Sequence, residues 1–176
     1  MKKTSLFFVV VLCAIICFSQ SSPAQNIGTL STGVNIGASL YTSGTSTGGT
    51  SSAFHIGVES AYRLNFNTAL VANVGYTGDV ATTIWEVSGN GRYFFTPEQE
   101  YKFFGEAGLG VYTVQVEFLG LVLESKKYLG LNLGGGVSKN VGRGIDLNLK
   151  MKYHNPFVSG GSLNYINITV GCIVQI

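Results

Sequence analysis

Residues 145–154 read Ile145-Asp146-Leu147-Asn148-Leu149-Lys150-Met151-Lys152-Tyr153-His154, with every second residue apolar. Alternate side chains of a strand point to opposite faces. Ile145, Leu147, Leu149, Met151 and Tyr153 therefore share one face, and Asp146, Asn148, Lys150, Lys152 and His154 share the other. A period of two over ten residues is a strand signal, not a helical one. The polar face mixes an acid, bases and an amide, unlike the uniform charged coat of a water-facing sheet. Which face meets water decides what kind of protein this is.

The same alternation runs outward from this segment in both directions. It predicts strands over 30–40, 54–64, 68–77, 84–95, 101–114, 127–138, 145–154 and 163–176. Asn65-Phe66-Asn67, Thr96-Pro97-Glu98-Gln99-Glu100 and the 139–144 segment with Gly142-Arg143-Gly144 are short turns. The connections 41–52, 78–83, 115–126 and 155–162 are longer, and 42–52 is rich in Ser, Thr and Gly. No stretch repeats at the helical period. Eight strands, joined by alternating short turns and longer loops, predict an all-β, antiparallel up-and-down transmembrane barrel.

Charge placement orients the faces. Asp, Glu, Lys and Arg make up only 11% of the chain, against about 25% in ordinary soluble domains. Glu59, Arg63, Glu86, Arg92, Lys102, Glu106, Asp146, Lys150 and Lys152 all fall on polar strand faces, together with His55. The other charges beyond the N-terminal segment fall in turns or at strand ends. The polar faces are otherwise built of Gly, Asn and Ser, small residues that suit the narrow interior of an eight-stranded barrel. These ten residues are expected to form an interior charge network, because buried charges require partners. A lipocalin-like soluble carrier would instead place its polar face outside.

Aromatic spacing gives a length. Phe54 and Tyr62 share one apolar face, and Trp85 and Phe95 another. At about 3.3 Å per residue and a tilt of roughly 40°, these spans correspond to about 20–25 Å along the barrel axis. An apolar belt bounded by aromatic girdles has that height. Tyr62, Tyr93, Phe95 and Phe103 are expected in the girdle at the short-turn end. Phe54, Tyr76, Trp85 and Tyr153 are expected in the girdle at the long-loop end.

At the N-terminus, Lys2 and Lys3 precede an apolar run from Leu6 to Phe18, followed by Ser22 and Ala24. The run is shorter than the ~20 residues that span a bilayer. It predicts a secretory signal peptide over 1–24, cut before Gln25, and a barrel domain over 25–176. Cys172 is the one cysteine of 25–176, which excludes an intrachain disulfide there. Without Lys2 and Lys3, nine basic residues stand against nine acidic ones, so no basic surplus points to nucleic acid.

Gly91-Arg92-Tyr93-Phe94-Phe95, Gly105-Glu106-Ala107-Gly108-Leu109-Gly110 and Leu131-Asn132-Leu133-Gly134-Gly135-Gly136 resemble the outer-membrane β-barrel domain family, that of small eight-stranded bacterial porin-like proteins. The resemblance covers 26–176. It implies a bacterial outer-membrane location, contact with outer-membrane lipid, and insertion by the barrel-assembly machinery. The end of the chain is similar to the signal that machinery reads, with Thr169, Gly171, Val174 and Ile176 at alternating places. Family members usually end on Phe, Tyr or Trp, and Ile176 departs from that.

No chemistry-bearing constellation stands out. His154 ends a strand, read as a rim imidazole near Ser159 and Ser162, and no carboxylate follows Asp146 to orient it as a triad requires. His55, Glu59 and Arg63 recur at four-residue intervals, too dispersed for a metal site. No cofactor, metal or catalytic residue is assigned. The expected role is structural or surface-interacting, as a monomer displaying loops 41–52 and 115–126. A narrow small-solute channel, a lipid A-modifying enzyme and a soluble carrier are the alternatives.

Overall fold

The computed structural model describes residues 27–41, 52–79, 82–118, 121–158 and 163–176. The proposed signal peptide and the tip of the 41–52 loop lie outside them. Eight strands run β1 (Leu30–Tyr41), β2 (Ser52–Arg63), β3 (Thr68–Gly78), β4 (Thr82–Phe94), β5 (Tyr101–Phe118), β6 (Leu121–Gly142), β7 (Ile145–Pro156) and β8 (Tyr165–Gln175). Each pairs antiparallel with the next, and β8 pairs with β1, so the sheet closes into a barrel.

The register shows how it closes. From Ser31, successive rungs pass through Ala61, Val71, Asn90, Gly108, Asn132, His154 and Tyr165 and return to β1 at Tyr41, ten residues further along. Such a stagger tilts the strands by roughly 35–45°, and an eight-stranded barrel leaves an interior just wide enough for side chains to fill.

Parity assigns the faces. Leu147, Leu149 and Met151 are about half exposed on the outside, whereas Asn148, Lys150 and Lys152 are buried within the lumen. Leu40, Val58, Leu70, Val87, Leu109, Leu131 and Val170 are likewise exposed. A closed sheet that is apolar outside and polar inside leaves no strand edge and no backbone polar group facing hydrocarbon, the condition for spanning a bilayer.

The strands match the expected segments except on one hairpin. The 115–126 connection is largely strand: β5 continues to Phe118, and β6 begins at Leu121 and runs through most of the expected 139–144 turn. A register shift between Val116 and Glu117 accompanies the extension. The β6–β7 turn is reduced to Arg143 and Gly144, with Gly142, Arg143 and Gly144 all at positive φ (99°, 55° and 73°). Asn140 holds this turn, accepting from Gly142 N at 3.0 Å and donating to Asp146 at 2.7 Å. Across the β2–β3 turn, Asn65 Oδ1 accepts from the backbone N–H groups of Asn67 and Thr68 at 2.9 and 2.8 Å, the local bonding that favours Asn in turns.

The seam where β1 meets β8 is close-packed. A Cβ at Gly37 would press on Ile168 O and Thr169 Cα, and one at Gly33 on Cys172 O and Ile173 Cα. Gly37→Val should therefore overpack the seam and cost about 1–3 kcal/mol. Urea titration of the barrel in lipid vesicles measures this, and an unchanged midpoint would mean that the seam has slack.

Candidate functional site

The lumen is the candidate site. Its inward residues form three layers, an apolar cluster toward each end and the main charged cluster between them, with Arg63, Lys102 and Asp146 nearer the short-turn end. Ala69, Phe94 and Phe104 pack together at the short-turn end. Ile84, Tyr112 and Tyr165 pack at the long-loop end, with Tyr41, Val114 and Leu163 against them.

Glu59 on β2 is the hub of the middle layer. It accepts from Arg92 at 3.0 Å, Lys150 at 2.6 Å and Asn35 at 3.1 Å. Arg92 also donates to Glu106 through Nε at 2.9 Å and Nη2 at 2.7 Å, and its guanidinium lies 4.4 Å from the Phe104 ring centre. Lys152 stands 3.5 Å from Glu86 and 3.6 Å from Glu106. Three carboxylates thus meet three cations from β2, β4, β5 and β7. Packing apolar layers above and below raises the strength of these pairs and the cost of separating them.

A hydrogen-bonded chain of amides, hydroxyls and imidazoles continues toward the long-loop end. The Asn167 amide nitrogen donates to His55 Nδ1 and His154 Nε2, each at 3.2 Å, and its oxygen accepts from Ser39 at 2.5 Å. Thr77 lies 2.8 Å from His55 Nδ1. Ser88 donates to Glu86 at 2.6 Å.

Two expected site residues, His55 and Arg63, depart from the sequence reading. His55 bonds to Thr77 and Asn167 and not to an ion-pair partner. Arg63 reaches no carboxylate within salt-bridge distance among the described residues. It sits at the strand end, donates to Phe66 O at 2.7 Å and covers the Phe94 ring at 4.2 Å. Lys102 and Asp146 face each other at 3.9 Å, a looser pair apart from the central cluster.

His154 is the larger correction. It is no rim imidazole: it is fully buried, stacked on Tyr165 at 4.6 Å and within 3.1 Å of the Tyr112 hydroxyl. The acid beside it lies upstream in the sequence: Glu86, whose carboxylate is 3.4 Å from His154 Nδ1. It comes from β4, which the barrel brings across the lumen. Ser159 and Ser162 lie outside the described residues. Among the described residues, no group of three or more His, Cys, Asp or Glu is placed to hold a metal ion.

The girdle residues all face outward. Tyr62, Tyr93, Phe95 and Phe103 are exposed at the short-turn end, with Tyr93 and Phe95 edge-to-face at 5.4 Å. Phe54, Trp85 and Tyr153 are exposed at the other end, and Tyr76 is half-buried against Trp85 at 5.1 Å. Tyr101 and Phe157 are also exposed near strand ends. Thr169 and Gly171 face the lumen on β8; Val174, although on outward parity, is fully buried, and Ile176 is half exposed, its N donating to Leu30 O at 2.8 Å.

Among the described residues, two small cavities lie in the lumen. One of about 20 Å³ is lined by residues including Asn35, His55, Asn73, Lys150, Asn167 and Thr169. One of about 40 Å³ lies toward the short-turn end beside Arg63, Arg92 and Asp146. Glu59, with its partners Arg92 and Lys150, stands between them.

A closed, apolar-surfaced barrel with a charged, side-chain-filled lumen defines a class of integral membrane protein. Over residues 10–173 the chain matches the outer membrane protein beta-barrel domain family, and it belongs to that family. It is a protein of the bacterial outer membrane. Neisserial surface protein A is similar in structure, with a TM-score of 0.73 at 17% identity over 84% of this chain and 97% of that one. The N-terminal β-barrel domain of Pseudomonas aeruginosa OprF gives 0.63 at 16% identity, over 85% and 99%. Ail, the attachment invasion locus protein of Yersinia pestis, gives 0.58 at 13% identity, over 86% and 100%. No curated protein matches the chain.

Proposed function

We propose that this protein is a non-enzymatic, closed barrel that serves as a scaffold for surface contacts, displaying its longer loops outside the cell. The filled lumen carries this reading. Ion pairs cross the barrel at its middle layer, and the two lumen cavities found among the described residues, about 20 and 40 Å³, have room for one to a few waters. His154, the residue nearest to a catalytic candidate, is sealed behind Tyr112 and Tyr165, away from the lipid face. By name, one structural neighbour is a surface protein and another an attachment and invasion locus protein.

The test is conductance. Folded protein in planar bilayers is expected to give no steady unitary current, and vesicles carrying it should not swell in sugars. A reproducible open state would move the assignment to a narrow channel. Mass spectrometry of lipid A from cells with and without the protein tests the enzymatic alternative, and no change is expected.

With eight strands, the start of β1 and the end of β8 lie at one end of the barrel, together with turns 65–67, 96–100 and 143–144. In barrels of this kind that end faces the periplasm. The extended β5–β6 hairpin and the 41–52 loop then face outward. An epitope tag near Gly48 should be stained on intact cells. Staining only after permeabilisation would reverse the orientation. We also assign Thr169, Gly171, Val174 and Ile176 to recognition by the assembly machinery. Ile176→Phe should raise the folded fraction in the membrane, and an unchanged fraction would remove Ile176 from that signal.

A further inference from the structure

We propose that the lumen holds one trapped water molecule bound by Asn35, Asn73 and Thr169. These residues come from β1, β3 and β8, and they line the same cavity of about 20 Å³. Each is at least nine-tenths buried, and each has a polar atom with no hydrogen-bond partner: Asn35 Oδ1, Asn73 Nδ2 and Thr169 Oγ1. The space arises from sequence. Gly57 and Gly75, inward residues paired across β2 and β3, line the cavity and contribute no side chain.

The chemistry of the three atoms selects the occupant. Asn35 is oriented by its Nδ2 donation to Glu59 at 3.1 Å, so its Oδ1 is left needing a donor. Asn73 Nδ2 needs an acceptor. The Thr169 hydroxyl can be either. A single species must therefore donate to an amide oxygen and accept from an amide N–H. A halide cannot donate, and a monatomic cation cannot accept. Water does both, and the volume exceeds the ~10–15 Å³ that one water needs. Lys150, Lys152 and Glu86 also line the cavity, and each lysine already faces a carboxylate, Lys150 at Glu59 and Lys152 at Glu86 and Glu106, so no unpaired charge is left to draw an ion.

The position has a consequence. His55, Asn167 and His154 border the cavity on one side, and Lys150, the partner of Glu59, borders it on another. A water there adds a second link between the hydrogen-bonded chain and the ion-pair cluster, beside the contact of His154 with Glu86.

The test is a crystal structure of the full folded barrel at a resolution that shows ordered water, with crystals soaked separately in bromide and rubidium. The expected result is one peak bonded to at least two of the three atoms, without anomalous signal in either soak. An anomalous peak would make this an ion site, and an empty cavity would make it dry; either overturns the proposal. Oxygen-17 relaxation dispersion of the protein in lipid nanodiscs provides a second readout in solution. Gly75→Ala should lose one long-lived water relative to the parent. If that variant does not fold, Gly57→Ala replaces it. An equal count in parent and folded variant would also overturn the proposal.

Discussion

Glu59→Gln is expected to destabilise the folded barrel by about 3–5 kcal/mol, the range seen when one partner of a buried ion pair is removed. The substitution keeps the shape and removes the charge. Arg92 retains Glu106, but Lys150 has no other salt bridge among the described residues. Its ammonium group is buried, so it loses its counter-charge without gaining water. Equilibrium unfolding in urea from lipid vesicles measures the loss. Glu59→Gln combined with Lys150→Met should recover part of it, because the stranded charge is then gone. A loss below about 1 kcal/mol, the range of solvent-exposed pairs, would mean that water penetrates the lumen freely.

Leu149→Arg is expected to cost about 2–4 kcal/mol, the penalty for a basic residue on the lipid face near the midplane of a barrel. Leu149 lies mid-strand between Val137 and Val170, both outward and apolar, so the guanidinium has no protein partner on its rungs. Asn148→Ser, one residue away on the lumen side, should cost far less. Asn148 faces Ser138 and Gly171, and the serine keeps a hydroxyl there. Folding titrations of both variants compare them. Equal costs at the two positions would mean that the faces do not differ as described.

The fold was legible because a barrel translates sequence parity directly into inside and outside. Leu149 and Asn148 could be assigned to opposite faces from their neighbours alone. Strand number and closure followed from the count of alternating segments and the absence of helical periodicity. The β5–β6 hairpin was less legible, since 115–126 lacks clean alternation and its register shifts at Val116–Glu117. Hydrogen bonding with the neighbouring strand, which no single-strand pattern reports, extends it.

The site was legible in membership and less so in wiring. Parity placed Glu59, Glu86, Arg92, Glu106, Lys150 and Lys152 in the lumen, but partners are set by the stagger of ten residues, which brings distant strand positions to one level. That stagger carries Glu86 to His154, a pairing hidden while acids were sought only downstream in sequence. Arg63 shared the correct face but lies at the strand end, where a backbone carbonyl and the Phe94 ring satisfy it. The aromatic layers at each end of the lumen went unread for another reason. Phe104, Tyr112 and Tyr165 are apolar residues on polar faces, and the pattern gave no sign that they would meet across the barrel.

The most direct measurement of the two-faced barrel is a spin-label scan along β7. Single cysteines at positions 145–153, on a Cys172→Ser background in lipid bilayers, would be labelled and read for oxygen and nickel accessibility. Positions 147, 149 and 151 should show high oxygen and low nickel access, the signature of hydrocarbon. Positions 146, 148, 150 and 152 should be shielded from both, giving a period of two along the strand. A flat profile, or nickel access greatest at the odd positions, would contradict an outer surface that faces lipid.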